Sequence, residues 1–567
     1  MNNGMETVKT RPLKSRLILS VLLVAATAAV FWPVLGNGFT NWDDPGLVLE
    51  NPLIRDLSFK GLARIFETFS VWGLYHPLTL LAYGLVYKIY ALNPFGYHLA
   101  SLLLHLASCL VVFRIMLAWG LSDRGAFLTA LLFGIHPMHV ETVAWVSELK
   151  GALSGFLFLS SLLFYLRHLA DDSRGYYAAS LGLFLASMLA KPFALMMPVL
   201  LFFTDHAKNR GLTGKSILNK LPYFLVSLLF GVLALITQRR DNAVGAVGLD
   251  TLGDSILLAC QGLVFYVYKI ALPFSLSSFY PVPQPQGQAL SRVFYLVLAS
   301  GLVLGIAAAY IRKMGKGLGI WGLTFFGLLI LPVLKIVPFG QAMAADRYVY
   351  IPILGLITVA AWAARKLYPG SAAGRTLRAA VTLAGILYFS SLGWMTFQRC
   401  RVWKDSVSLW SDVLRSYPSA DIAYNNRGNA YQAKGLYDPA LADYRKALEI
   451  NPGYKSIYLN RGNLFNATKK YTLAIADYDR ALLIDSGYVE AYNSRGAAYG
   501  ALNQFDLAIQ DFERAVSLDV NNAEAHNNLG IAYYYSKDYH SARIHLDQAK
   551  ELGYGVNPYL LKEIHSR

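Results

Sequence analysis

Long apolar stretches separated by polar loops fill roughly the first 400 residues of the chain. A helix that crosses a membrane needs about 20 mostly apolar residues. We count eleven candidate spans, at residues 17–35, 97–117, 126–138, 152–166, 176–190, 193–203, 221–237, 293–311, 318–334, 349–364 and 377–397. The pattern predicts an all-α, polytopic membrane domain.

Two further apolar segments do not fit simple spans. Residues 76–92 predict an interfacial helix on the outer leaflet, with an ordinary second span as the alternative. Residues 255–272 predict a re-entrant or interfacial segment. If 255–272 crossed instead, the count would be twelve and the C-terminus would lie inside. The expected number is therefore about eleven spans, with the C-terminus outside.

Basic residues set the orientation of this domain. Lys9, Arg11, Lys14 and Arg16 precede the first span, which predicts a cytoplasmic N-terminus and a long outer loop at residues 36–96. Only 15% of the chain is charged, against about 25% in average soluble domains. From Trp403 onward Lys and Arg number 18 and Asp and Glu 19, a net charge of −1, so the first 402 residues carry +17 and the whole chain +16. This distribution indicates positive cytoplasmic loops and a lipid bilayer as partner, and no nucleic acid.

A repeat of 34 residues follows the apolar part. Glycines, small residues and aromatics recur at that interval, as in Gly428, Gly462, Gly496 and Gly530. Helix pairs with this period are typical of tetratricopeptide repeats. We predict a membrane domain at 1–402 and a repeat domain at 403–567. The repeat domain would hold a half-repeat at 403–420, four repeats at 421–556 and a capping helix at 557–566.

Polar residues stand two positions before each repeat glycine: Asn426, Asn460, Ser494 and Asn528. Repeat arrays of this kind offer a concave groove for a partner. An amide side chain both donates and accepts, so it can bind a peptide main chain of any sequence. This resembles the asparagine ladder in the repeats of nucleocytoplasmic O-linked N-acetylglucosamine transferase. We expect the four residues to hold an acceptor, with ordinary helix-surface residues as the alternative.

Two adjacent carboxylates, Asp43 and Asp44, stand near the start of the first outer loop. One of them could act as the general base that sugar transfer to a hydroxyl requires. The pair could instead hold a divalent cation, Mg or Mn, against a donor phosphate. A solvated pair that caps a loop helix is the third possibility.

Other polar residues fall on the same outer side in this topology: His76, His139, Glu141, Lys191, Asp346 and Arg347. The cations Lys191 and Arg347 could hold a lipid-linked phosphate. Glu141 and His139 could bind sugar hydroxyls, although a histidine near a span end often only bonds backbone and a lysine can extend to the surface. The three cysteines lie far apart, and no zinc-type spacing, nucleotide-binding glycine loop or Ser-His-Asp arrangement is visible.

These motifs occur in a particular order along the chain. Asn41-Trp42-Asp43-Asp44 is followed by His76-Pro77-Leu78, His136-Pro137-Met138-His139-Val140-Glu141, Ala190-Lys191-Pro192 and Ala345-Asp346-Arg347-Tyr348, and then by the repeats. The series resembles the transmembrane and tetratricopeptide-repeat O-mannosyltransferase family, and more closely its bacterial relatives in the GT-C class. The resemblance implies a GT-C fold, catalytic acids at Asp43 and Asp44, a polyprenyl-phosphate sugar donor and inverting transfer. Lys191-Pro192 departs from the Lys-Glu of eukaryotic members.

The sequence thus favours a membrane glycosyltransferase that moves a sugar from a polyprenyl phosphate to a protein or cell-envelope glycan. The expected location is a bacterial inner membrane with the repeats in the periplasm. The alternative is a non-catalytic, membrane-anchored repeat scaffold for envelope protein or polysaccharide assembly. A transporter is disfavoured, because the polar residues gather at one face rather than at the bilayer midplane.

Overall fold

The computed structural model describes residues 13–71, 73–211, 213–240, 252–282, 317–334, 342–367 and 374–566, with isolated positions 301, 305 and 309. Most described residues are helical, which confirms the all-α prediction. They form two compact units, residues 1–412 and 413–567. The predicted domain boundary at residue 403 stays a prediction, and Trp403–Asp412 fall in the first unit.

The described part of the first unit consists mainly of helices. In chain order, through the helix that runs past residue 412, they are Leu13–Phe31 (α1), Phe59–Glu67 (α2), Pro77–Tyr90 (α3), Pro94–Ala118 (α4), Asp123–Gly134 (α5), Val140–Ala144 (α6), Leu149–Asp171 (α7), Arg174–Ala190 (α8), Met197–Ala207 (α9), Gly214–Leu218 (α10), Leu221–Arg240 (α11), Leu252–Ala271 (α12), Leu318–Ile330 (α13), Ile353–Leu367 (α14), Arg375–Val402 (α15) and Ser406–Ser416 (α16).

Five helical stretches of the described chain are long and apolar enough to cross a membrane. They cover Lys14–Gly36, Pro94–Ala118, Val146–Asp171, Gly214–Thr237 and Thr376–Val402. A sixth is possible if α5 and the bent segment Pro137–Ala144 act as one span. Apart from the isolated positions 301, 305 and 309, the predicted span at 293–311 and the basic residues after it lie outside the described residues. The total of eleven or twelve, including the role of α12, therefore stays a prediction.

Helix α3 is the segment predicted to be interfacial. It has 14 residues, which is shorter than the roughly 20 needed to span a bilayer. Pro77 begins it, and this suits proline, whose missing N–H costs nothing in the first turn. The Thr79 hydroxyl donates to the carbonyl of Ala190 at 2.7 Å, so α3 packs on the end of α8.

Serine pairs join α7 to α8 through the interior of the unit. The hydroxyls of Ser154 and Ser187 lie 3.0 Å apart, and those of Ser161 and Ser180 lie 3.2 Å apart. Small hydroxyl side chains let helices approach closely and also bond across the contact, which is how helices often pack in membranes. The Ser154 hydroxyl also donates to the carbonyl of Lys191 at 3.1 Å, so the first turns of α7 lie beside the end of α8.

Helices α13 and α14 cross at even closer range. A Cβ atom on Gly322 would lie 2.6 Å from the carbonyl oxygen of Gly355, so neither position can carry a side chain without a backbone shift. A small antiparallel sheet pairs Tyr280–Pro281 (β1) with Ala342–Ala344 (β2). It brings the chain to Asp346.

The second unit consists of four antiparallel helix pairs and a final helix. They are Asp421–Ala433 (α17), Tyr437–Ile450 (α18), Lys455–Ala467 (α19), Tyr471–Ile484 (α20), Val489–Ala501 (α21), Phe505–Leu518 (α22), Ala523–Tyr535 (α23), Tyr539–Glu551 (α24) and Pro558–Ser566 (α25). The period-34 glycines are needed for packing. A Cβ on Gly462 would lie 2.6 Å from the Tyr478 ring.

Candidate active site

The loop that carries Asp43 and Asp44, called the acid loop below, contacts the segment that follows α15. The backbone N–H of Gly38 donates to the carbonyl of Lys404 at 2.9 Å, and that of Asn41 donates to the Ser406 hydroxyl at 2.9 Å. The Trp410 indole N–H in turn donates to Asn41 at 2.9 Å. These contacts join segments more than 360 residues apart, so the acid loop is a fixed part of the first unit.

Asp44 is fully buried and serves the structure of this loop. Its carboxylate accepts hydrogen bonds from the backbone N–H and the hydroxyl of Thr40, at 2.8 and 3.0 Å. It also accepts hydrogen bonds from the backbone N–H and the hydroxyl of Ser147. Burial raises the pKa of Asp44, while the four hydrogen bonds oppose that rise. Both carboxylate oxygens are engaged, so Asp44 ties the acid loop to the segment before α7.

Asp43 is the accessible member of the pair. Its side chain is 27% exposed, and its nearest charged partner is the Lys150 ammonium, with Nζ 3.9 Å from Oδ2. Its carboxylate accepts no hydrogen bond from the described residues, unlike that of Asp44. Of the two acids, Asp43 is thus the one that can meet a substrate.

Glu148 lies at the centre of the charge cluster beside Asp43. Its carboxylate is 2% exposed and receives Lys191 Nζ at 2.9 and 3.1 Å. Lys150 Nζ lies 3.9 Å from it and Arg347 Nε lies 3.7 Å from it. One buried carboxylate therefore gathers three cations from α7, the end of α8 and the turn after β2.

Sequence reasoning missed both Glu148 and Lys150. The available signal was their position, two ionisable residues at the start of the apolar segment that becomes α7. Ionisable residues in membrane helices are costly and usually serve a site. Their pairing with Lys191 and Arg347 depends on the tertiary fold, because the pattern gives no distance between these segments.

Arg347 joins Glu141 to this cluster. Its backbone N–H donates to Glu141 Oε2 at 2.9 Å, and its guanidinium bonds the other Glu141 oxygen. The guanidinium carbon lies 5.3 Å from the ring centre of Trp145 and 5.9 Å from that of Trp42. The two indoles stack at 4.8 Å, so one side of the cluster is aromatic.

Asp346 has a hydrogen-bond partner outside this charge cluster. It accepts a hydrogen bond from the Tyr280 hydroxyl at 2.8 Å. Burial, followed by repulsion from Glu141, raises the pKa of Asp346 to about 7. A carboxyl with this pKa changes charge near neutral pH.

The two predicted histidines have different surroundings. Burial and the positive charges of Lys150 and Lys191 lower the pKa of His76 to about 3, so His76 is a neutral neighbour of the cluster. His139 lies instead among aromatic rings, 4.5 Å from Phe133 and 4.8 Å from Tyr350 between ring centres. The described structure thus brings together Asp43, Glu141, Lys191 and Arg347, with His76 close by, and gives His139 a place in an aromatic core.

A divalent cation does not fit the described residues around the two aspartates. The oxygens of Asp44 already accept four hydrogen bonds, and the ammonium of Lys150 stands beside Asp43. No group of three or more His, Cys, Asp or Glu side chains suited to a metal occurs in the described chain. The positive charge near Asp43 comes from side chains.

The four residues predicted to line the repeat groove are half-exposed. The Asn460 amide donates to Asn425 of the previous repeat at 2.9 Å, and Asn528 donates to Asn493 at 3.1 Å. Asn460 also lines a pocket of about 230 Å³, and Asn528 lines another of about 220 Å³ beside Phe505. These asparagines therefore bridge neighbouring repeats and still border open space, and their role in acceptor binding stays a prediction.

Arginine–aspartate pairs form a second ladder in the repeats that the sequence reasoning did not identify. The guanidiniums of Arg427, Arg461 and Arg495 bind Asp443, Asp477 and Asp511 through two bonds of 2.6–2.8 Å each. All members recur at 34 residues, and this regularity was the signal that could have found them. Leu529 and His545 hold the same positions in the last repeat, so the pairing ends there.

Known families and a solved structure resemble the repeat part of the chain. A family model described as tetratricopeptide repeat matches residues 422–454, and one described as TPR repeat matches 462–503 and 501–535. These matches confirm that tetratricopeptide repeats are present, while the predicted bounds of the half-repeat, the four repeats and the capping helix stay a prediction. A solved structure titled "Crystal structure of MamA" is 22% identical and covers 26% of this chain and 86% of that chain, with a TM-score of 0.25.

The curated relatives extend over the first unit as well. Protein O-mannosyl-transferase Tmtc3 of Drosophila melanogaster is 26% identical over 66% of this chain and 48% of its own length. Protein O-mannosyl-transferase TMTC3 of Homo sapiens is 23% identical over 76% of this chain and 51% of its own length. The chain spans about half the length of these relatives. Over about two thirds to three quarters of its own length, it is related to proteins named as protein O-mannosyl-transferases.

Proposed function

We propose that the protein is a membrane glycosyltransferase that moves a sugar from a polyprenyl phosphate to a hydroxyl of a protein acceptor on the outer face of the membrane. The observation that carries this proposal is the partly exposed Asp43 carboxylate beside the cations gathered by Glu148. The names of the relatives favour mannose as the sugar and a protein as the acceptor.

Asp43 acts as the general base. Its carboxylate takes the proton of the acceptor hydroxyl as the hydroxyl oxygen bonds to the anomeric carbon. The bond from that carbon to the phosphate oxygen breaks, and the electron pair leaves with the lipid phosphate. Positioned base catalysis of this kind contributes about 10²–10⁴-fold to a rate.

The cations stabilise the phosphate that leaves. Lys191 and Arg347 are 14% and 16% exposed, so part of each head group can reach a ligand, while Glu148 holds both in place. Fixed cations in a low-dielectric site favour the negative charge that develops on a leaving oxygen. Glu141 has the same holding role for Arg347 from the other side.

The repeats hold the acceptor in this scheme. The half-exposed amides of Asn460 and Asn528 border pockets of side-chain size. A membrane-anchored scaffold without catalysis remains the alternative function. It shares the repeats but has no use for an accessible Asp43.

The test compares Asp43→Asn with Asp56→Asn, a matched control in the same outer loop. Asp56 is 39% exposed and forms an ion pair with the exposed Arg64 at 2.6 Å. Purified full-length protein receives a labelled mannosyl polyprenyl phosphate and acceptor peptides, and both transfer to peptide and hydrolysis of the donor are measured. We expect Asp43→Asn to lower transfer about 10²–10⁴-fold and Asp56→Asn to retain it. Transfer that is equal in both folded variants would remove the proposal and favour the scaffold.

A further inference from the structure

A pocket of about 450 Å³ lies at the end of the first unit opposite the acid loop. Its walls include Trp119, which follows α4, Lys208, which follows α9, and the last turn of α14. The acid loop contacts the other end of α4, since the Phe39 and Tyr97 rings lie 5.6 Å apart. The 25 residues of α4 span about 37 Å, so the two sites are separated by a membrane thickness.

Three cations line this pocket, Lys208, Arg365 and Lys366. Lys208 donates to the carbonyl of Ala118 at 2.8 Å, and Arg365 lies 3.4 Å from the carbonyl of Gly120. Among the described residues, neither these two nor Lys366 forms an ion pair with an acid. Burial lowers the pKa of Lys208, which is the response of a cation that lacks a counter-charge.

Aromatic rings and a helix start complete the pocket. Lys208 Nζ stands 4.3 Å above the Trp119 ring, and Trp119 contacts Trp321 at 4.8 Å, so the cation is held in position. Gly317, which precedes α13, provides no side-chain cap for the first backbone N–H groups of that helix. The start of a helix attracts anions through its dipole, and each of the three cations attracts them by its charge.

We propose that this pocket binds a phosphate-bearing anion at the membrane face opposite the acid loop. Basic pockets between membrane helices suit phosphate head groups of anionic lipids, and the volume is within the range of small-molecule sites, about 300–1,000 Å³. The indoles of Trp119 and Trp362 provide the amphipathic surface that lipid head groups meet at an interface. A soluble phosphate has the same chemistry and is the other source.

The test uses full-length protein in nanodiscs of mixed phosphatidylcholine and phosphatidylglycerol. Native mass spectrometry counts the phosphatidylglycerol retained, and inorganic phosphate is added as a competitor. The variant Arg365→Gln/Lys366→Gln is compared with Arg124→Gln/Lys215→Gln. The control pair is exposed, lies at the same end of the helices and removes the same charge.

We expect the pocket variant to retain phosphatidylglycerol about tenfold less, because two charged hydrogen-bond donors are lost, and the control to match the parent. Displacement by inorganic phosphate would identify a soluble phosphate as the source, and its absence would identify the lipid. Equal loss in both variants would overturn the proposal, since it would show only general attraction of a basic face. Because the residues lie far from Asp43, failure here leaves the sugar-transfer proposal untouched.

Discussion

At the level of single residues, the adjacent carboxylates of the acid loop have opposite surroundings. Asp44 satisfies two backbone N–H groups and two hydroxyls in the interior, whereas Asp43 points to accessible space. We expect Asp44→Asn to lower the free energy of unfolding by about 1–3 kcal/mol, because an amide cannot accept all four bonds. Thermal unfolding in detergent, followed by tryptophan fluorescence, measures this. Asp43→Asn is the control and should stay within about 0.5 kcal/mol, and equal stability of the two variants would contradict the assignment.

Asp346 predicts a dependence of stability on pH. Its pKa rises from 3.8 to about 7 in the folded protein, so the folded state holds its proton more tightly than the unfolded chain does. Stability from this group is present at low pH and is lost as the pH rises from about 4 to about 7. Asp346→Asn can still accept from Tyr280 but cannot ionise, so its melting temperature should fall less than that of the parent across this window. If the melting temperatures of parent and variant fell equally between about pH 4 and about pH 7, the prediction would be contradicted.

At the level of elements, the sequence predicted those that depend on local periodicity. The 34-residue period predicted the helical repeats. The long apolar stretches predicted the positions of α1, α4, α7 and α15 to within a few residues. The cluster around Glu148 was not predictable in the same way. Glu148 meets Lys191 from 43 residues away and Arg347 from the turn after β2. Only the packing of α7 on α8 and of the β2 turn on α6 creates these distances.

The separate roles of Asp43 and Asp44 also required the fold. In the sequence they are neighbours, and nothing in the local pattern indicates which of them is the catalytic residue. Their difference arises because Ser147, more than 100 positions along the chain, donates to one of them and not to the other. Burial of a side chain by a distant segment leaves no local pattern.

The repeat ladder permits a test of element stability. Asp477 is 8% exposed at its side chain and depends on Arg461 for two bonds. Arg461→Leu would copy the residue that stands at this place in the last repeat, but it would leave Asp477 unpaired. We expect a loss of about 1–3 kcal/mol, detected as faster hydrogen exchange in α19 and α20.

The control for that test is Arg445→Gln, an exposed cation on α18. Adding Asp477→His to Arg461→Leu reproduces the pair found in the last repeat and should recover part of the stability. Unchanged exchange in Arg461→Leu would show that the ladder contributes nothing to the array.

At the level of the whole molecule, the two units divide the proposed reaction. In that proposal, the first unit provides the base and the cations for the donor, and the second provides the half-exposed amides for the acceptor. The amides have a competing explanation, because Asn528 also binds Asn493 of the preceding repeat at 3.1 Å. Acceptor binding and repeat packing therefore have to be separated by experiment.

Substituting each partner of the Asn528–Asn493 bond in turn separates acceptor binding from repeat packing. Both Asn528→Ala and Asn493→Ala remove the contact between repeats, but only Asn528→Ala also removes an amide from the pocket beside Phe505. If the amide binds acceptor, Asn528→Ala should raise the acceptor KM about three- to tenfold, the cost of one lost hydrogen bond, and leave donor hydrolysis unchanged. Asn493→Ala should show the same loss of stability with an unchanged KM. If both variants shift KM alike, the asparagines serve packing, and the acceptor must meet another surface of the repeats.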